Sequence, residues 1–247
     1  MNKSAGVAIV LATCLISVLA YDVWSKNQIP PKYATYTAKF YALRQDAAVY
    51  VHSENYNTAW ASKIGTVVPE GSLLIVGQWA LRPDSDSPLI YDLQKSFVAF
   101  DTSFLPDYCE IVEATFSGFV YMMPTFPQST YNIVIQNGAS THVPPLPTEY
   151  DRELYGTSVG GSRNPVGTAV SNNYWNITLN SLGLSWVSKN GLTKFVLRCD
   201  KEMLGEVPKE GELEFIRFAS ADWDNRPAEP LSPAPPILYI TYRVRTG

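Results

Sequence analysis

The chain has 247 residues, of which 46% are apolar and 17% charged, with 18 Pro, 15 Gly and 15 Tyr. That apolar mass suffices for one large domain or two small ones and excludes a chain that stays disordered. A formal net charge of −4, a pI near 5.2 and the lack of any Lys/Arg cluster exclude a nucleic-acid binder, because neutralising phosphates requires a basic face.

At the N-terminus a singly positive Met1-Asn2-Lys3-Ser4 precedes an almost wholly apolar stretch from Ala5 to Ala20. Val18 and Ala20 put small residues at the −3 and −1 positions of a cleavage after Ala20. The run is about 16 residues, short of the roughly 20 that a spanning helix needs. Residues 1–24 are therefore expected to be a signal peptide or a signal anchor. The protein is expected outside the cell or on its surface, touching a membrane only through this segment if it stays uncleaved. Residues 25–37, polar and carrying Pro30-Pro31, are expected to be a spacer.

Beyond it, short apolar runs alternate with turn residues. Expected strands are Lys39–Leu43, Ala47–His52, Leu73–Leu81, Ser96–Asp101, Ile111–Tyr121, Tyr131–Gln136, Tyr174–Leu179, Lys194–Asp200, Glu212–Phe218 and Ile237–Val244. In the last of these, Ile237, Tyr239 and Thr241 oppose Leu238, Ile240 and Tyr242, which is the period of two that a strand requires. Turn signals such as Pro69-Glu-Gly, Gln136-Asn-Gly138, Gly160-Gly-Ser and Lys189-Asn-Gly191 lie between the runs. One short helix is expected near 181–189, with Asn180 as its N-cap and Asn190-Gly191 as its stop. The expected fold is all-β, an antiparallel β-sandwich of jelly-roll type, forming a single domain over 38–247.

The most distinctive passage runs from Ser96-Phe-Val-Ala-Phe-Asp-Thr-Ser-Phe-Leu-Pro-Asp107 to Ile111-Val-Glu-Ala114. It resembles the signature of DNRLRE-type extracellular β-sandwich domains, relatives of carbohydrate-binding and archaeal or bacterial cell-surface modules. Asp46-Ala-Ala-Val-Tyr-Val, Tyr174-Trp-Asn-Ile-Thr-Leu-Asn180, Thr193-Lys-Phe-Val-Leu-Arg198, Glu214 to Ala221 and Pro236 to Tyr242 resemble further elements of that family in the same order. Cys109, Cys199 and the long Pro-rich loop 227–236 depart from its pattern. The resemblance implies a secreted or surface sandwich with adhesive, sugar-binding or structural roles and no shared catalytic residues. Independently of any family, Asp101-Thr102-Ser103 supplies side-chain oxygens for backbone N–H groups where a strand ends.

Catalytic chemistry finds little footing. His52 and His142 have no partner at metal-ligand spacing, and no Gly-x-Ser-x-Gly elbow occurs. Paired acids of the kind glycosidases use could come from Glu110 with Glu113, Glu149 with Asp151, or Asp222 with Asp224, all at turns or strand ends. No cofactor is expected, though Asp84, Asp86, Asp222 and Asp224 offer clustered hard oxygens for calcium, or simply solvated turn acids. Trp60, Trp79, Tyr91, Tyr155, Trp175 and Trp223 are candidate sugar-stacking rings, although each such ring alone more often packs in a core or interface. Cys109 and Cys199 form either one disulfide, closing a loop worth several kcal/mol, or two separate buried thiols. The expected function is a non-catalytic surface structural or adhesive module whose partner is a glycan or another surface or assembly protein. The alternatives are a carbohydrate-binding module and, behind it, a glycan-acting hydrolase.

Overall fold

Twelve consecutive residues, Ile90–Asp101, form the strand β5, whose apolar side chains serve two faces at once. The computed structural model describes residues 32–68, 73–124, 130–222 and 235–246. In it, β5 pairs through Ile90–Gln94 with β4 (Leu74–Leu81), through Tyr91–Phe97 with β2 (Ala47–Ser53), and through Ser96–Asp101 with β10 (Leu192–Cys199). The other strands are β1 (Tyr33–Tyr41), β3 (Thr66–Val67), β6 (Glu110–Met122), β7 (Ile133–Asn137), β8 (Gly161–Arg163), β9 (Asn173–Thr178), β11 (Leu213–Phe218) and β12 (Ile237–Arg245). Short helices α1 (Tyr56–Trp60), α2 (Ser181–Ser185) and α3 (Asp200–Leu204) complete the described elements.

The strands join one antiparallel sheet in the order β1-β12-β6-β11-β4-β5-β10-β7-β8, with β2 beside β5 and β3, and β9 beside β6. The expected all-β, antiparallel, sandwich-like class is the one the chain adopts. The sheet stays open but bends over on itself. Phe100 of β5 and Phe116 of β6 stand three pairings apart, about 14 Å in a flat sheet. Their rings nevertheless meet at 6.5 Å. The main core fills the space between these layers with Val98, Phe100, Phe116, Trp175, Phe195 and Phe218.

The opposite face of β5 builds a second, smaller core. Leu93 and Phe97, with Val49 of β2 and Val196 of β10, pack against Tyr56 and Ala59 of α1. Tyr150 and Tyr155, which end two single 3₁₀ turns at Pro147–Tyr150 and Arg152–Leu154, complete it. Successive residues over Leu93–Phe100 of β5 and Phe195–Cys199 of β10 are therefore buried on both faces, and the polar ones among them, such as Lys95 and Arg198, must find partners inside.

All ten expected strands are present, shifted at their ends. Two expectations move. β1 begins at Tyr33, so the spacer expected over 25–37 contributes strand from there on. Its side chains are largely exposed, and so carry no apolar period to announce it. The helix expected over 181–189 is only Ser181–Ser185. Asn180 caps it as expected, its Oδ1 accepting from Gly183 N at 3.0 Å, but the chain leaves the helix at Trp186 to enter β10. β3, β8, α1 and α3 were not expected, being too short to show a period.

Contacts divide the chain into a body, Thr35–Val244, and a small unit of Met1–Ala34 with Arg245–Gly247. In the small unit Thr246 N donates to Lys32 O at 2.8 Å. The expected leader at 1–24, the first part of the spacer, Trp223 and Asp224 lie outside the described residues. No helix among the described residues is long and apolar enough to cross a membrane.

One glycine is fixed by this packing. Gly77 in β4 has φ +140°, and a Cβ there would fall 2.1 Å from Glu214 O. Gly77→Ala should therefore wedge β4 from β11 and cost about 3 kcal/mol or more, read as a fall in the urea midpoint. An unchanged midpoint would mean that β11 is free to move away.

Candidate functional site

A shallow groove of about 340 Å³ opens where three loops meet at one end of the sheet. Its first wall follows β7. Asn137 Oδ1 accepts from Ala139 N at 2.9 Å and bends the chain through Ala139 and Ser140. The second wall is the 3₁₀ turn ending at Leu154, then Tyr155 and Ser158. Tyr155 anchors it by donating its hydroxyl to Glu149 O at 2.8 Å.

The third wall is α2, which presents Leu182 and Trp186. It lies close because two glycines let backbones touch: a Cβ on Gly183 would come 2.2 Å from Gly160 O. A Cβ on Gly160 would come 2.2 Å from Cζ3 of Trp186. Asn180 locks the contact, donating Nδ2 to Val159 O and its backbone N to Gly160 O, both at 2.8 Å. None of the residues lining the groove is charged.

Of the six rings singled out from the sequence, the five that lie among the described residues do not form a platform. Trp60 lies under the Arg152 guanidinium, 3.3 Å from its ring, and donates Nε1 to Glu202 O at 2.7 Å. Trp79 packs on Phe215 at 4.9 Å, and Tyr91 meets Tyr56 edge-on at 5.6 Å. Trp175 is core, stacked on Phe218 at 6.2 Å with Nε1 bonded to Thr168 Oγ1 at 3.0 Å. Only Tyr155 borders the groove, and it is 8% exposed. Trp223 lies outside the described residues. Trp186, whose ring does help to form the groove, hid in the sequence as one more residue of an expected helix; the Gly160-Gly161 pair opposite was its only trace.

The candidate acids are likewise dispersed. Asp84 Oδ1 accepts from Asp86 N at 3.1 Å in an exposed turn. Asp222 is buried, where its charge helps to raise the carboxyl of Asp46, and Asp224 lies outside the described residues. Among the described residues no three His, Cys, Asp or Glu gather as a metal site would require. Glu110 grips Arg243 at 2.7 and 2.8 Å, while Glu113 faces Thr241 across the ladder. Glu149 closes the loop before it, accepting from His142 Nδ1 at 2.8 Å and Leu146 N at 3.0 Å, and Asp151 binds Lys63 at 3.2 Å. As expected, Asp101 Oδ1 closes its turn on Ser103 N at 3.1 Å. Cys109 and Cys199 are two free, buried thiols, so the disulfide alternative is not formed. Burial raises both above the ordinary thiol value, which keeps them unreactive.

One cluster went unforeseen. Lys95 on β5, Arg198 on β10 and Glu202 on α3 are all at most 1% exposed. Arg198 holds Glu202 with Nε at 2.8 Å and Nη2 at 2.9 Å, and donates Nη1 to Gln136 Oε1 at 2.9 Å. Lys95 Nζ lies 3.6 Å from the same carboxylate and donates to Tyr150 O at 2.5 Å. Burial pushes the Lys95 ammonium down to about 8, against the pull of Glu202. At this depth the three charges serve to pin α3 and the Tyr150 turn to the sheet.

The end of the sheet offers the other surface. Among the described residues β1 pairs along its length with β12 only, and just past its end the chain turns its other side to β5, where Ala42 bridges Phe100 and Leu43 N donates to Ala99 O at 2.8 Å. Ala42 N donates to Pro236 O at 2.8 Å, Tyr36 stacks on Tyr242 at 5.6 Å, and Lys39 Nζ lies 5.5 Å over Tyr239. Thr37 Oγ1 meets Thr241 Oγ1 at 3.2 Å. These contacts set an antiparallel register in which even-numbered residues of β1 aim their N–H and C=O groups at β12, and odd-numbered ones aim theirs away. β1 contains no proline and one charged residue, Lys39. Tyr33, Tyr36 and Tyr41 along it are 45%, 51% and 56% exposed.

No protein-family model matches this chain, and no curated protein matches it in sequence.

Proposed function

We propose that the protein is a non-catalytic structural or adhesive module of a cell or particle surface, and that it joins its neighbours through the edge of β1. The observation that carries this reading is the strand β1, whose outward N–H and C=O groups at Thr35, Thr37 and Lys39 point away from the sheet. Edges that must stay solitary are usually blunted by proline, bulges or several charges, whereas β1 carries one lysine turned over a tyrosine ring. Tyrosines suit such a contact, since they bury much area for little lost side-chain freedom. Export and surface location follow in this reading from the apolar residues 5–20, and the kinship with DNRLRE-type jelly-roll domains from the motif order.

Thr37→Pro is the selective test. It removes an outward-facing N–H and leaves the backbone hydrogen bonds to β12 in place, at the cost only of the exposed Thr37–Thr241 hydroxyl contact. The parent chain, with its leader removed, is expected to sediment as concentration-dependent multimers or to form filaments under the electron microscope, and Thr37→Pro to sediment as a monomer with its melting temperature within a few degrees. Ala38→Pro, whose N–H faces β12, should instead lower the melting temperature. A parent chain that remains monomeric at every concentration, alone and with its own membrane or envelope fraction, overturns the reading.

A further inference from the structure

Beyond assembly, and independently of it, we infer that the groove between Asn137–Ser140, Leu154–Ser158 and α2 is a binding site for a neutral saccharide. Its volume, about 340 Å³, falls at the lower end of the roughly 300–1,000 Å³ typical of small-molecule clefts, room for a sugar ring or two. The lining is uncharged, so a charged ligand would find no counter-ion there.

Its chemistry is divided in the way a pyranose is. Leu154, Leu182 and the Trp186 ring provide apolar surface for the C–H face of a sugar, and Leu154 and Leu182 are 52% and 43% exposed. Asn137, Ser140 and Ser158 stand beside them, and within the described residues Asn137 Nδ2, Ser140 Oγ, Ser158 Oγ and Trp186 Nε1 have no hydrogen-bond partner. Four unspent polar groups next to an aromatic ring match a ligand with hydroxyls around an apolar centre. A purely aliphatic ligand would leave them unsatisfied and lose affinity.

The site is also preformed. The Gly160–Gly183 contact and the two Asn180 hydrogen bonds fix α2, and Tyr155 is tied to Glu149 O, so little ordering is left for a ligand to impose.

Affinity electrophoresis of the full chain in gels containing soluble glucan, xylan, mannan or galactan, with polygalacturonate as the anionic control, tests the assignment. Retention is expected on at least one neutral polymer and not on polygalacturonate. Titration with the matching hexasaccharide should quench tryptophan fluorescence. Ser140→Trp fills the groove from an exposed position and should weaken binding at least tenfold without altering the melting temperature. Trp186→Ala should weaken it similarly, and Thr37→Pro should bind as the parent does, which separates this site from the β1 edge. No retention on any neutral polymer, or equal retention by Ser140→Trp, overturns the assignment. Retention on polygalacturonate alone overturns it too.

Discussion

Glu202→Ala is expected to destabilise the protein by about 3–5 kcal/mol, a drop of roughly 10–15 °C in melting temperature for a body of this size. Removing the carboxylate leaves Arg198 and Lys95, both essentially inaccessible to water, facing each other without a counter-charge. The size of the loss measures that orphaned charge and not the net worth of the ion pair. Replacing all three groups by apolar ones of similar volume, Lys95→Met with Arg198→Met and Glu202→Leu, should accordingly recover most of it. Burial by itself would raise the Glu202 carboxyl, but Lys95 and Arg198 outweigh it and hold it below the ordinary glutamate value. Its contribution is therefore present above the unfolded value near 4.5 and is lost as the pH falls through the folded one. A Glu202→Ala chain that melts like the parent would show that water reaches the cluster.

Asp46 gives the opposite pH response. It is 5% exposed in the turn ahead of β2, and both its oxygens accept from Ala221 N at 3.1 Å. Burial, reinforced by the charge of Asp222, raises its carboxyl from 3.8 to about 8, although the Ala221 N–H pulls the other way. A raised folded value means that stability is fully present below the unfolded value and is lost as pH rises toward the folded one. Between about pH 4 and pH 8 this group should remove close to 1.4 kcal/mol per pH unit. Asp46→Asn keeps an acceptor for Ala221 N and carries no charge, so its urea midpoint should change far less across that window. The parent and Asp46→Asn should differ little at or below about pH 4 and most above pH 8. Parallel pH profiles would show that the Asp46 charge is hydrated in the folded state.

The two expectations rest on residues that the sequence marked very differently. Asp46 stands in a motif and reads as an ordinary turn acid, and nothing local says that Ala221, 175 positions later, closes over it. Arg198 falls in an expected strand and Glu202 just beyond it, and nothing local says that the two meet away from water. In the structure Arg198 lies near the end of β10 and Glu202 inside α3, both buried, and Trp60 at the end of α1 donates Nε1 to Glu202 O. Among the aromatics, Trp175 was a candidate ligand contact and proved to be core, whereas Trp186 was passed over and borders the groove. A ring's type and spacing are the same in either role; what differs is which distant loop covers it.

The sequence by itself determined the ten longer strands, their antiparallel class, the Asn180 cap and the Asp101 turn. Each depends on side chains within a few residues of one another and on a period of two that any half-buried strand must show. The tertiary structure alone decided that β5 and β10 are covered on both faces, that Gly160 and Gly183 touch to shape a groove, and that β1 extends back to Tyr33 with an edge pointing outward. Those features come from backbones brought together across tens to hundreds of residues, and the energy that selects them is contact and burial, which no local pattern records.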